Sequence, residues 1–286
     1  MLLFFIYKII IFLSEYLPVQ ASYFICRRAI DILYLFNKKD QKIVKENLKK
    51  IKVPDDTLRK DTKQIFYNFS YYLVDFLSSF NFNKNNIDQY AKSFGENNIK
   101  QALEKNKGAI MLTAHIGNWE MGGIYLGLKG YKMNAVALKH KNERINNIFD
   151  ERRKKHDETI FPLKNASKAS LKALKNNELV AVLCDRIFDK KEKPIVSELC
   201  GNKINIPRGP AYLSIISGAA LIPSFSIRSG LKKFEIFFEQ PIYPPEYNRE
   251  TIEKDVIILS NLYMKKLEEY IIKYPLQWYA FQNVWE

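Results

Sequence analysis

Three hydrophobic patterns follow one another along the chain. Residues 2–13 read LLFFIYKIIIFL, apolar around most of a helical circumference and interrupted only by Lys8. Residues 20–81 show helical spacing. Leu33, Leu35 and Phe36 precede a basic stretch around Lys38–Lys50, and Ile65, Phe66, Phe69, Tyr72, Leu73, Phe76, Leu77 and Phe80 then form a broad apolar face. That aromatic face suits either a lipid groove or simple core packing. From about residue 88, short apolar runs alternate with amphipathic segments. The runs predict strands at Ala109–Thr113, Lys132–Leu138, Thr159–Leu163, Leu179–Cys184, Ala220–Arg228 and Phe234–Gln240, with a hairpin over Ser197–Ile206 turning at Gly201-Asn202. The intervening segments predict helices at Asn118–Leu128, Asn142–His156, Ser167–Asn176, Pro207–Gly218 and Thr251–Tyr274. Strands alternating with helices of this length predict an α/β fold: a central mixed, largely parallel sheet flanked by helices. The expected organisation is an N-terminal membrane-associated helix over 1–18 and a single domain over 19–286, helical to about residue 85.

Composition narrows the partners. Of 286 residues, 47% are hydrophobic and 27% charged, which excludes disordered and collagen-like chains. Lys and Arg total 45 against 31 acidic residues, a formal charge of +14, so an anionic partner is expected. The 14% aromatic content, beside this positive charge, fits a protein that works at a lipid headgroup layer. Nucleic-acid binding has no zinc-finger or helix-turn-helix signature to support it, and LLFFIYKIIIFL is foreign to that class. Cys26, Cys184 and Cys200 are scattered and lack CxxC spacing, which argues against a disulfide framework and a structural zinc site. Residues 2–13 fall short of the roughly 20 needed to span a bilayer. Val19-Gln20-Ala21 resembles a signal-peptidase site, but no basic stretch precedes the apolar run and Lys8 lies inside it. The segment is expected to lie in or dip into one leaflet, with Lys8 reaching for headgroups.

The densest chemistry is Thr113-Ala114-His115-Ile116-Gly117-Asn118-Trp119-Glu120, between a buried strand and a helix. A strand-to-helix turn puts His115 at the carboxyl edge of the sheet, where α/β proteins gather their sites. Residues five apart on a helix do not share a face, so His115 and Glu120 meet only if His115 sits in the turn and Glu120 in the first helical turns. Glu120 would then accept a hydrogen bond from one imidazole nitrogen and leave the other as a general base. Neither a Gly-x-Ser-x-Gly elbow nor HExxH is present. A His–carboxylate pair without a protein nucleophile suits deprotonation of a substrate hydroxyl that attacks an activated carbonyl.

HIGNWE resembles the His-x4-acidic motif of the lysophospholipid acyltransferase superfamily, most closely the branch of lipid A biosynthesis (lauroyl/myristoyl) acyltransferases. The likeness runs in order through the Lys/Asn-rich Lys139–Arg153, Leu183-Cys184-Asp185-Arg186, Cys200-Gly201, Ile206-Pro207-Arg208-Gly209-Pro210-Ala211, Ala219 to Arg228, and Pro275-x-Gln277-Trp278. Leu199-Cys200 stands where the family has an aromatic pair. The resemblance implies a membrane-associated O-acyltransferase at the cytoplasmic face of a bacterial inner membrane. It would move a fatty acyl chain to a lipid A precursor or related glycolipid without a covalent enzyme intermediate. No metal or cofactor is implied; the co-substrate is an acyl carrier protein or CoA thioester, and the carrier protein, an anionic glycolipid or phospholipid acceptor and the membrane surface are the implied partners. A lysophospholipid or a phosphatidylinositol mannoside is the alternative acceptor, and a catalytically silent lipid-binding protein the alternative class.

The resemblance makes His115 the base and Glu120 its partner. The Asn118 amide or the N–H groups near Gly117-Asn118 would hold an oxyanion, unless Asn118 simply caps the helix. Arg152 and Arg153, of which one points inward, would pair with an acceptor or carrier phosphate. Arg208 and Arg228 join the substrate-binding set by analogy, and Asp185 would organise the site through a salt bridge. His140 and His156 read as surface residues, and Trp119 and Trp278 as packing or interfacial anchors.

Overall fold

The computed structural model describes residues 2–187 and 193–286. The helical N-terminal part holds α1 (Leu2–Tyr16), α2 (Val19–Phe36), α3 (Lys38–Lys50) and α4 (Leu58–Leu77). Pro18 separates the first two, because its ring fixes φ and it has no N–H to donate. Asn37 separates the next two, its side-chain oxygen accepting from the Asp40 N–H at the start of α3. After these come α5 (Ile87–Tyr90), β1 (Ala91–Phe94), α6 (Glu96–Leu103), β2 (Ala109–Thr113), α7 (Trp119–Leu128), β3 (Met133–Ala137), α8 (Glu143–Lys155), β4 (Glu158–Pro162), α9 (Ala166–Lys175) and β5 (Leu179–Leu183). The chain finishes with β6 (Ile195–Leu199), β7 (Asn202–Ile206), α10 (Gly209–Ser217), β8 (Ala220–Gly230), β9 (Lys233–Phe238) and α11 (Ile252–Lys273).

Seven strands form one sheet in the order β1-β9-β8-β2-β5-β3-β4, and every neighbouring pair is parallel except β8 with β9. This is the mixed, largely parallel sheet with flanking helices that the pattern predicts. The central strands β2 and β5 read AIMLT and LVAVL, near-continuous apolar runs, as expected for strands covered on both faces. β6 and β7 form a separate antiparallel hairpin whose turn is Cys200-Gly201, one residue earlier than expected, with Asn202 already paired to Leu199. β1 and α6 escape the sequence reading: β1 is four residues long, too short for alternation to show.

The aromatic face of α4 is mostly core. Ile65, Phe66, Tyr72, Phe76 and Leu77 are buried, while Phe80 just beyond the helix is exposed. On α1, one face packs through Phe4, Tyr7, Ile10 and Ile11, and the opposite face leaves Phe5, Ile9, Phe12 and Tyr16 in solvent. α2 continues this with exposed Phe24, Ile32, Leu33, Leu35 and Phe36. Among the described residues, no helix is long and apolar enough to cross a membrane. All three cysteines are buried.

Candidate active site

Register assembles the centre of the site. β2 and β5 are neighbouring parallel strands, and Thr113 lies opposite Leu183. Two residues beyond each strand end, His115 and Asp185 therefore emerge side by side. His115 Nδ1 lies 2.8 Å from Asp185 Oδ1. The other oxygen, Oδ2, accepts from Arg186 Nε at 3.1 Å and Nη2, and from the Trp278 indole N–H at 3.1 Å. Asp185 has no solvent exposure, and all its partners are donors. Burial opposes its ionisation, but the Arg186 charge, with the hydrogen bonds from His115 and Arg186, outweighs burial and holds the carboxyl well below the usual carboxylate range. His115 shifts downward. Burial first, then the Arg186 charge, disfavours imidazolium more than Asp185 favours it. At neutral pH the ring is neutral. With a carboxylate at Nδ1, the ring proton sits on Nδ1 and the lone pair on Nε2.

The carboxylate that orients His115 is thus Asp185, and the expected hydrogen bond from His115 to Glu120 is replaced by a different pairing. Glu120 lies in the first turn of α7 and accepts two hydrogen bonds from Arg153 at the end of α8, at 3.0 and 2.6 Å. A bidentate guanidinium fits both carboxylate oxygens, which a single imidazole nitrogen does not. Burial works against the Arg153 cation, but Glu120 more than compensates and holds the guanidinium firmly charged.

Gly117 explains the sharp bend after His115. Its φ is +62°, and a Cβ there would stand 2.0 Å from the Ser226 carbonyl oxygen. The same closeness overturns the expected oxyanion donors. Gly117 N–H donates to the Gln277 carbonyl at 2.9 Å, and Asn118 N–H to the Ser226 carbonyl at 2.7 Å. Asn118 is a helix cap, its Oδ1 accepting from the Met121 N–H at 3.3 Å, and its amide nitrogen is buried away from the cavity. The C-terminal Gln-Trp segment braces this turn. Besides the Gln277 and Trp278 contacts, the Tyr279 N–H donates to the His115 carbonyl at 2.8 Å, and Arg186 Nη1 donates to the Tyr279 carbonyl at 3.1 Å.

A cavity of about 500 Å³ opens at this sheet edge. His115, Glu120, Arg153 and Arg186 lie at its polar part, with Trp119 stacked on Tyr72 at 4.3 Å. The remaining wall is mainly apolar: Val136, Leu163, Val182, Leu183, Pro210 and Leu213. The His115 side chain is 17% exposed, toward this space.

Other expected site residues are redirected. Asp185 organises the site but is sealed from any substrate. Arg152 points away from the cavity and donates to the Leu77 and Ile148 carbonyls at 2.8 and 3.2 Å, with Glu15 of α1 at 3.7 Å. The α-helical angle between neighbours sends it to the α4 side while Arg153 faces Glu120. Arg208 pairs with exposed Glu253, and Arg228 spans Asp75 at 3.4 Å and the Tyr71 ring at 4.7 Å; neither lines the cavity. His140 is exposed but at the cavity rim. His156, expected at the surface, is buried, with Nε2 3.0 Å from the Ser79 carbonyl, because it closes α8 against the turn after α4. Trp278 packs as expected and also donates to Asp185. Arg186, which lines the cavity and donates to Asp185, is the residue of this cluster to which the sequence assigns no role. Among the described residues, no cluster of His, Cys, Asp or Glu is arranged to hold a metal.

The family model "Bacterial lipid A biosynthesis acyltransferase" matches residues 1–286. A phosphatidylinositol mannoside acyltransferase of Mycobacterium tuberculosis is 24% identical over 67% of this chain, and the match spans 58% of that protein. A lipid A biosynthesis palmitoleoyltransferase of Escherichia coli is 23% identical over 92% of this chain and 86% of its own length. A solved 1-acyl-sn-glycerophosphate acyltransferase from Thermotoga maritima superposes with a TM-score of 0.40 at 12% identity, covering 88% of this chain and 98% of that one.

Proposed function

The chain belongs to the bacterial lipid A biosynthesis acyltransferase family, and from that premise we propose that it transfers a fatty acyl chain from a carrier-protein thioester to a hydroxyl of an anionic glycolipid, a lipid A precursor or a close relative. The observation that carries the reading is a neutral, carboxylate-oriented histidine at the polar part of a cavity of about 500 Å³ whose other walls are mainly apolar. The size falls within the range of small-molecule sites, and the apolar wall suits an alkyl chain.

In this reading, His115 Nε2 takes the proton of the acceptor hydroxyl as its oxygen attacks the thioester carbonyl. Asp185 stabilises the imidazolium that forms, and Arg186 keeps Asp185 ionised. The tetrahedral intermediate collapses, the C–S bond breaks, and the leaving thiolate takes the proton back from His115. Positive charge near the developing oxyanion comes from the guanidinium groups on the cavity wall, Arg153 held by Glu120 and Arg186 held by Asp185. The ester and free carrier thiol are the products, with no acyl-enzyme.

The exposed apolar residues of α1 and α2 support attachment to one leaflet, in this reading at the cytoplasmic face of the inner membrane. α1 reaches the site through Tyr7, whose ring lies 5.8 Å from that of cavity-lining Phe149. The test is the purified protein with a panel of acyl-carrier and acyl-CoA donors and glycolipid or lysophospholipid acceptors, read by mass spectrometry. Acylated glycolipid with wild type but not with His115→Ala is expected. No product with any pairing, or equal product from a folded His115→Ala, contradicts the proposal.

A further inference from the structure

A second buried carboxyl lies behind the Glu120–Arg153 pair. Glu158 opens β4 and is 8% exposed. Its carboxyl lies against α7 at Gly123, where a Cβ would stand 3.0 Å from Oε1 and 3.4 Å from the carboxyl carbon. Gly123 is one turn beyond Glu120 on the same helical face, so the glycine admits this carboxyl under the turn that carries Glu120. Oε2 is buried with no hydrogen-bond partner among the described residues. From α8, Arg153 feels both carboxyls, and Glu120 repels Glu158. From α4, Tyr72 joins the cluster with its phenol kept neutral by burial. His156, two residues before Glu158, is also pushed toward its neutral form by burial. The count is two carboxyls and one guanidinium in a buried space. Arg153 is already committed to both oxygens of Glu120, so a charge on Glu158 would be both unsolvated and repelled.

We propose that Glu158 is a positioning residue that must be a neutral carboxylic acid for Arg153 to hold Glu120 at the cavity wall, and that its ionisation draws Arg153 inward and disarms the site. This extends the acyltransferase reading and rests on it. Burial and the Glu120 charge raise the Glu158 carboxyl to about 8 against the pull of Arg153, so the change falls just above neutral pH. Neither the family likeness nor the HIGNWE motif touches this residue.

The experiment is a pH profile of kcat/KM for wild type, Glu158→Gln and Glu158→Asp, with uncatalysed thioester hydrolysis subtracted. Wild type is expected to decline above pH 8 by up to about tenfold per pH unit, the slope of a single ionisation. Glu158→Gln, a neutral isostere, stays level across that range, while Glu158→Asp, which keeps a carboxyl, retains a decline. A decline in folded Glu158→Gln equal to wild type overturns the proposal. An infrared titration of wild type needs neither a variant nor turnover. It should show a buried carboxylic acid C=O band at pH 7 that disappears by pH 9.5. Absence of the band at pH 7 overturns the proposal, whereas lack of turnover in any assay with the band present strikes only the acyltransferase reading.

Discussion

Two buried carboxylates serve the same cavity, Asp185 sealed behind His115 beyond the end of β5 and Glu120 at the wall in the first turn of α7, and their surroundings differ in kind. Among the described residues, Asp185 meets three donors, His115, Arg186 and Trp278, and no other carboxyl. Glu120 meets one guanidinium, which a second acid, Glu158, also attracts. In the first cluster both carboxylate oxygens are hydrogen-bonded and the carboxyl is held well below the usual carboxylate range. The second carries one acid more than its cation can balance. The contrast separates two tasks: setting the tautomer of a base needs a permanent charge, whereas holding a cation at the wall can be tuned by a neighbouring acid.

The largest effects come from breaking the Asp185 cluster. His115→Ala is expected to lower kcat by about 10²–10⁴-fold, the usual worth of a general base, with folding retained by circular dichroism. Asp185→Asn removes the charge that Arg186 requires, so both activity and stability fall, the latter by about 3–5 kcal/mol in chemical denaturation. Arg153→Met leaves Glu120 buried without its partner and should cost a similar stability, but with His115 still titrating below its ordinary range by NMR.

Smaller effects sharpen the same contrast. The Glu158 carboxyl is higher in the folded state, about 8, than in the unfolded chain, 4.5. Its neutral form favours folding, so this contribution is complete below pH 4.5 and is lost as pH rises toward 8. Relative to Glu158→Gln, wild type should lose up to about 1.4 kcal/mol per pH unit in that window and nothing further above it. Asp185 moves the other way, contributing stability above the usual carboxylate range and losing it in acid. The smallest effect concerns location: Phe5→Asp with Phe12→Asp should weaken co-sedimentation with anionic vesicles while leaving turnover of a detergent-dispersed acceptor near wild type.

Much of this was legible in the chain. Apolar runs of strand length separated by helical repeats gave the α/β class, because parallel strands covered on both faces must be apolar throughout. HIGNWE located the histidine. Its partner was harder to find, since proximity in sequence favours Glu120 and the true contact depends on strand register. The signal was nevertheless present: AIMLT and LVAVL are equal runs, each followed two residues later by a titratable group, His115 or Asp185. Arg152 and Arg153 could not be told apart, because both sit in a basic helical end and only the neighbouring α4 decides which is turned from the cavity. The backbone N–H groups near Gly117 read as available from the local motif alone, because their acceptors, the carbonyls of Ser226 on β8 and of Gln277, lie far away in sequence. Glu158 left no mark at all, since an acid that starts a strand normally sits in solvent.

The most direct measurement of the central claim is the protonation state of His115, read by nitrogen-15 NMR with the signal assigned through His115→Ala. At pH 7.5 the account requires a neutral ring with its proton on Nδ1, and in Asp185→Asn a changed tautomer balance. A ring that is imidazolium at that pH, or one protonated on Nε2, contradicts it.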